Sequence, residues 1–159
     1  MLGEHRYAIE LEWQGDRGEG TASYRSYGRQ HAVRAPGKLH EIAGSSDRAF
    51  HGDRDRWNPE ELVLAALSEC HMLSYLHVAV NHGVVVVGYE DAATATMRED
   101  GRGGGRMEEA VLRPRVTVAD PSMRELAESL HHEASEKCFI AASVAFPVRH
   151  EPTTLVRGD

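Results

Sequence analysis

Two cysteines, Cys70 and Cys138, are the residues of this chain best suited to chemistry. A thiolate is a strong nucleophile and a soft metal ligand, so a lone pair of thiols has three readings: redox chemistry, metal binding, or plain burial as small hydrophobes. Cys70 closes the stretch NPEELVLAALSECH at positions 58–71, flanked by Glu69 and His71 where the surrounding run is otherwise almost uncharged. Polar groups interrupting an apolar helix invite a functional reading, although a packed, hydrogen-bonded core histidine explains His71 equally. A zinc site fits poorly, because adjacent helix residues point about 100° apart and zinc ligands are usually spaced C-x₂₋₄-C or H-x₃₋₅-H. The other histidines, among them His31, His51, His77, His131 and His132, form no such pattern.

The element carrying Cys70 announces its own start. Asn58 is a good N-cap, Pro59 suits the first helical position, and Glu61 completes a capping-box spacing with Asn58. From Leu62 to Val80 nearly every turn is apolar or small, which predicts a helix buried on most sides and ended by Gly83. Glu60 and Cys70 on such a helix are separated by roughly 15 Å along its axis. If both serve one site, either the helix breaks or a second copy of the chain supplies one of them, and a dimer is the simpler arrangement. Taken alone, Glu60 is also a first-turn carboxylate favourable to the helix dipole.

Around this helix the pattern is mostly strand. Tyr7, Ile9, Leu11 and Trp13 alternate as in a half-buried strand before the turn GDRGEG, and TASYRSYG, HAVRA and LHEIAG read as further short strands. SSDRAFHGDRDRW has the composition of an ordered surface loop. The segments 84–97 and 107–119 are β-rich and joined by the glycine-rich REDGRGGGR, which lacks a phosphate-loop pattern. Asp120-Pro121 opens a second, amphipathic helix over 121–136 through Leu126, Leu130 and Ala134, with Cys138 just beyond it. Val144, Phe146 and Val148 alternate as a closing strand, and the tail EPTTLVRGD gives no signal. Strands grouped around two separated helices indicate an α+β fold with largely antiparallel sheet.

With 159 residues the chain fits one domain spanning 1–159, and Lys+Arg 18 against Asp+Glu 25 leaves a net charge of −7 that gives no electrostatic reason to bind nucleic acid or anionic membrane. No apolar run reaches the roughly 18 residues of a membrane span, and the N-terminal residues lack the apolar core of a secretory signal. A cytoplasmic protein is expected, with no nucleic-acid or membrane partner.

Three features together carry a family resemblance: W-x-G-D-R-G-x-G-T at 13–21, N-P-E-E-L ahead of a helix cysteine, and a late second cysteine. The chain resembles the OsmC/Ohr family, the osmotically inducible protein C and organic hydroperoxide resistance proteins, across nearly its whole length. The resemblance implies an OsmC-like fold, an intertwined homodimer of long central helices wrapped by antiparallel sheets, and thiol peroxidase activity on organic hydroperoxides in oxidative stress defence. Cys70 resembles the family's peroxidatic cysteine, Cys138 its resolving cysteine, Arg17 the arginine beside the reactive thiol, and Glu60 the glutamate that orients it. Arg25 and Arg29, in the next strand region, are the alternatives to Arg17. The cycle so implied needs an external dithiol reductant and no cofactor or metal. The sequence departs from the family where Phe139 follows the second cysteine, a position at which many members have proline. A non-catalytic module holding a small hydrophobic ligand, with both thiols merely buried, is the competing expectation.

Overall fold

A computed structural model describes residues 3–158. It divides into two compact units, one up to Leu62 and one from Val63 onward, with the division inside the first turn of a long helix.

In the first unit, β1 (Glu10–Trp13), β2 (His31–Arg34) and β3 (Ile42–Gly44) form an antiparallel sheet in that order. Leu11 faces Val33 in register, and Val33 faces Ile42. The alternating residues of the β1 segment are not half-buried in this chain: Tyr7, Ile9, Leu11 and Trp13 are all exposed. TASYRSYG, expected as a strand, is a series of turns. The reason is local, since the Ser26 hydroxyl accepts from the Ser23 N–H and donates to the Gly20 carbonyl, competing with any ladder. The turn at 15–20 is held by Asp16, whose Oδ1 accepts from the N–H groups of Gly18 and Gly20 at 2.9 Å each. Gly15 is required here, because a Cβ would lie 2.0 Å from the Gly28 carbonyl oxygen. The loop at 45–57 is ordered as expected: Asp53 accepts from Gln30 Nε2 at 2.5 Å and from the Ser45 hydroxyl at 3.2 Å.

Helix α1 (Pro59–Asn81) begins where the sequence predicts. Asn58 Oδ1 accepts from the Glu61 N–H at 2.8 Å, and Glu61 Oε2 accepts from the Asn58 N–H at 3.2 Å, a complete capping box. It ends at Gly83, left-handed at φ 71°, with the Val84 N–H reaching back to the Ala79 carbonyl at 2.9 Å. Burial departs from expectation. Leu67, His71, Tyr75, Val78 and Ala79 are buried, whereas Leu73 and Val80 are 63% and 75% exposed. By length and composition α1 is apolar enough to cross a membrane, its best 18-residue window having a mean hydropathy of 1.4. No unbroken apolar run of that length exists in it, but the average tolerates Ser68, Glu69, Cys70, His71 and Ser74. Its buried side chains pack within the second unit, as those of a core helix do.

The second unit has two three-stranded sheets. One has the order β4 (Val86–Asp91), β7 (Pro114–Val118), β9 (Thr153–Val156), and the other β5 (Thr94–Glu99), β6 (Gly105–Leu112), β8 (Val148–His150). The β4–β7 and β5–β6 pairs are antiparallel, while β8 and β9 add in parallel to β6 and β7. The closing strand thus starts at Val148 rather than Val144, and the signal-free tail supplies β9 by pairing with the buried β7 edge. Helix α2 (Arg124–Glu136) follows a 3-10 turn capped by Asp120 and buries Ala127, Leu130, His131 and Ala134; Leu126 stays 43% exposed. The core joins Tyr75, Val78 and Ala79 of α1 to Val116, Val118, Ala127, Leu130 and Ala134.

This core also holds three histidines. His71 contacts both His131 and His150, Tyr75 stacks on His131, and burial, the largest cause, pushes His71 down to about 3, His131 to about 4, and His150 below its ordinary value. Neighbouring histidine charge adds to the lowering for His71 and His131. The folded protein therefore declines protons that the unfolded chain binds near pH 6.5. Stability is present above about pH 6.5 and is lost as pH falls toward the folded values. The thermal midpoint should drop between about pH 6.5 and pH 5, before carboxylates titrate. A flat midpoint over that interval would contradict neutral burial of the cluster.

Candidate active site

The two cysteines, far apart in sequence, come together in the second unit. Cys70 sits half-buried on α1, one turn beyond Leu67. Cys138 is 2% exposed and lies where α2 runs out through further tight turns: the Lys137 N–H bonds to the Ala134 carbonyl, the Cys138 N–H to the Ser135 carbonyl, and the Ala142 N–H to the Cys138 carbonyl. The Ser74 hydroxyl donates to the Lys137 carbonyl at 3.3 Å and pins this segment to α1. Both thiols are free.

Their environments differ. The Cys138 thiol is pushed up to about 11, first by burial and then by hydrogen bonding toward the Cys70 sulfur; the Ala141 N–H, 3.4 Å from Cys138 Sγ, opposes this. Cys138 is thus held protonated at neutral pH, with the Cys70 thiol as a neighbour. A protonated thiol against a more accessible one can close to a disulfide once the accessible sulfur is oxidised. Through Ala141, Cys138 adjoins an apolar group that includes Leu64, Leu67, Val144 and Phe146, while Phe139 is 82% exposed and leaves Cys138 backed by the Ala141 turn.

Arg17 and Glu60 belong to the first unit. Arg17 is exposed at the tip of the Asp16 turn. Glu60 lies in the first turn of α1, and since that helix is unbroken to Asn81, one helix cannot bring it to Cys70. Glu60 Oε2 is buried with no hydrogen-bond partner among the described residues. Of the alternatives to Arg17, Arg29 is engaged elsewhere: its guanidinium lies 4.5 Å from the Tyr24 ring centre and 4.2 Å from that of Tyr27, and it donates to both their carbonyls.

His71 is a packed core histidine as its position on α1 suggested, and it joins a cluster that no sequence spacing announces. His71 Nε2 and His131 Nδ1 are 3.0 Å apart, and His150 of β8 lies 4.2 Å from His71 between ring centres. The only sequence signal was His71 and His131 each falling on a buried helix stripe; His150 sits in a strand whose start was misjudged. Among the described residues no cluster of three or more His, Cys, Asp or Glu side chains is arranged to hold a metal ion.

This architecture has close parallels. An OsmC-like protein of unknown function from Vibrio cholerae O1 biovar eltor is 29% identical with a TM-score of 0.81, over 94% of this chain and 99% of that one. The organic hydroperoxide resistance protein OsmC of Legionella pneumophila is 18% identical with a TM-score of 0.68, over 96% and 99%. An organic hydroperoxide resistance protein from Elizabethkingia anophelis, with thiocyanate bound, is 17% identical with a TM-score of 0.67, over 98% and 100%. At such identities the last two speak to the fold. No curated protein gives a significant match. The family model described as OsmC-like protein matches residues 51–153, a span that contains α1, both cysteines and all three clustered histidines and exceeds half of the chain. The chain belongs to the OsmC-like protein family.

Proposed function

We propose that this protein is a cysteine-based thiol peroxidase that reduces organic hydroperoxides to alcohols in defence against oxidative stress. The observation that carries the reading is the meeting of two free thiols, one half-accessible and the other buried and held protonated beside it. In the first step the Cys70 thiolate attacks the terminal peroxide oxygen and the O–O bond breaks. The alkoxide leaves as alcohol after taking up a proton, and Cys70 becomes a sulfenic acid, oxidised by two electrons. Cys138 then attacks the Cys70 sulfur, a disulfide forms and water leaves. An external dithiol reduces the disulfide and restores both thiols.

Arg17 and Glu60 complete the proposed site. A guanidinium beside Cys70 would stabilise the thiolate and hydrogen-bond the peroxide oxygens, and the unpaired, buried Glu60 Oε2 is suited to holding that guanidinium. Because Glu60 and Cys70 are far apart on one helix, we assign the assembled site to a homodimer of a single OsmC-like domain, residues 1–159. The exposed Leu73, Val80 and β1 side chains supply apolar surface for such an interface. The apolar residues near the thiols favour an alkyl tail over hydrogen peroxide, since each buried methylene contributes about 0.8 kcal/mol. OsmC/Ohr relatives named for organic hydroperoxide resistance make the same substrate class the natural first choice. A cytoplasmic setting, with its dithiol reductants, suits the cycle.

Cys70→Ser is expected to reduce turnover of cumene hydroperoxide to the uncatalysed rate with the fold intact by circular dichroism. Retained turnover would exclude the mechanism and favour a ligand-holding role. Cys138→Ser should consume about one equivalent of peroxide per chain and then stop, with a Cys70 sulfenic acid trapped by dimedone and seen by mass spectrometry. Continued dithiol-supported turnover at the wild-type rate would remove Cys138 as the resolving residue.

A further inference from the structure

The thiol peroxidase reading leaves the buried histidines without a role, and their geometry supplies one. His71 Nε2 and His131 Nδ1 are 3.0 Å apart, their ring planes differ by 18°, and their centres are 5.3 Å apart. The rings therefore lie end to end and nearly coplanar, as in a direct N–H···N hydrogen bond. Two ligands of one metal ion would instead be bent about a third point. Two neutral imidazoles suit this bond, one donating and the other accepting.

The orientation of each ring is fixed from outside the pair. Tyr75 stacks on His131 with ring centres 4.1 Å apart, while its hydroxyl donates to the Ala127 carbonyl at 3.0 Å. His150 packs on His71 from β8, with Asp91 of β4 nearby. On α1, His71 directly follows the proposed peroxidatic cysteine. On α2, His131 precedes Cys138 by about two helical turns, so both fall on the buried face. Apart from the hydrogen bonds of Tyr75 and Ser74 to the Ala127 and Lys137 carbonyls, the remaining contacts of this helix pair are largely between apolar side chains, whose attraction is non-directional and tolerates sliding.

We propose that His71 and His131 are positioning residues for the resolving step: alongside the Tyr75 and Ser74 hydrogen bonds, theirs is the side-chain to side-chain bond that fixes the register of α2 on α1 and so holds Cys138 against Cys70. This inference rests on the thiol pair of the proposed function, and it assigns the histidines to disulfide closure rather than to attack on peroxide. A displacement of the order of 1 Å in a reacting group is enough to slow a step a hundredfold.

The test separates the two steps. His131→Phe keeps a ring to stack on Tyr75 but removes the nitrogen, whereas His131→Asn keeps a hydrogen-bonding atom near the δ position. With cumene hydroperoxide, His131→Phe should form Cys70 sulfenic acid within about twofold of wild type while disulfide closure slows about tenfold or more, and His131→Asn should recover most of the closure rate. The same proteins are then oxidised with diamide in the absence of peroxide, which takes two electrons and two protons from the thiols and is itself reduced to the hydrazine. If wild type fails to reduce peroxide yet diamide closure still depends on His131, the peroxidase reading falls and the positioning role stands. Unchanged closure in a folded His131→Phe overturns the proposal, as does equal slowing in the Phe and Asn variants. Should His131→Phe not fold, long-range ¹H–¹⁵N spectra of the wild type decide: a hydrogen-bonded neutral pair is expected near pH 7, and two imidazolium rings or two unbonded rings would overturn it.

Discussion

Everything at the thiol site depends on how α2 packs on α1. Tyr75, Val78 and Ala79 of α1 share one apolar cluster with Ala127, Leu130 and Ala134 of α2. That shared cluster is what brings a thiol just beyond α2 beside one in the middle of α1, and because a cysteine side chain is short the placement of α2 matters. Burying Val78 or Leu130 contributes about 1.5–3 kcal/mol each, ample to hold helices together but with little preference for one register over the next. Register comes from the directional contacts along the same face: Tyr75 to the Ala127 carbonyl, His71 to His131, and Ser74 to the Lys137 carbonyl. Apolar area sets the strength of this contact, and a few polar atoms set its phase.

The polar atoms carry a cost. His71 Nδ1, His131 Nε2, His150 Nε2 and Tyr89 Oη are buried with no protein partner among the described residues, and burial raises the Tyr75 phenol to about 12. A buried polar group that keeps no partner costs about 1–3 kcal/mol, so polar atoms are an expensive way to fill such a site. Apolar residues of similar size would fill the space more cheaply, so the cluster is better understood as a device for specificity in helix placement.

How far the sequence disclosed this structure follows from the range of the interactions involved. The start of α1 was legible because Asn58, Pro59 and Glu61 act within four residues, and the capping box formed as their types dictate. Asp120 and Pro121 likewise marked where the chain turns, but they open a 3-10 turn at Pro121–Met123, and α2 itself begins three residues later than the expected 121, at Arg124 without a side-chain cap. TASYRSYG was misread because Ser26 uses its hydroxyl on neighbouring backbone, an option that strand alternation ignores. The tail strand β9 has no pattern of its own; it forms because β7 offers it an edge. The cysteines were legible as types, but their meeting was not, since it depends on a helix pairing between distant segments. His150 was least legible of all, being a strand residue that matters only through what α1 carries.

The inequality of the two thiols gives the proposed cycle its direction. Were both equally exposed, either could meet peroxide first and both could be over-oxidised, since susceptibility follows thiolate character and access. Burial and the neighbouring sulfur keep the Cys138 proton in place at neutral pH, so Cys138 is a poor first nucleophile. Once Cys70 carries an oxygen, its sulfur is an electrophile and the requirement reverses: the adjacent thiol must give up its proton and attack. That makes closure the step most sensitive to the distance between the two sulfurs and to the loss of one proton, while the first attack depends on access at Cys70. A fold that buries one thiol, half-exposes the other and fixes the helix register between them separates those two requirements in space.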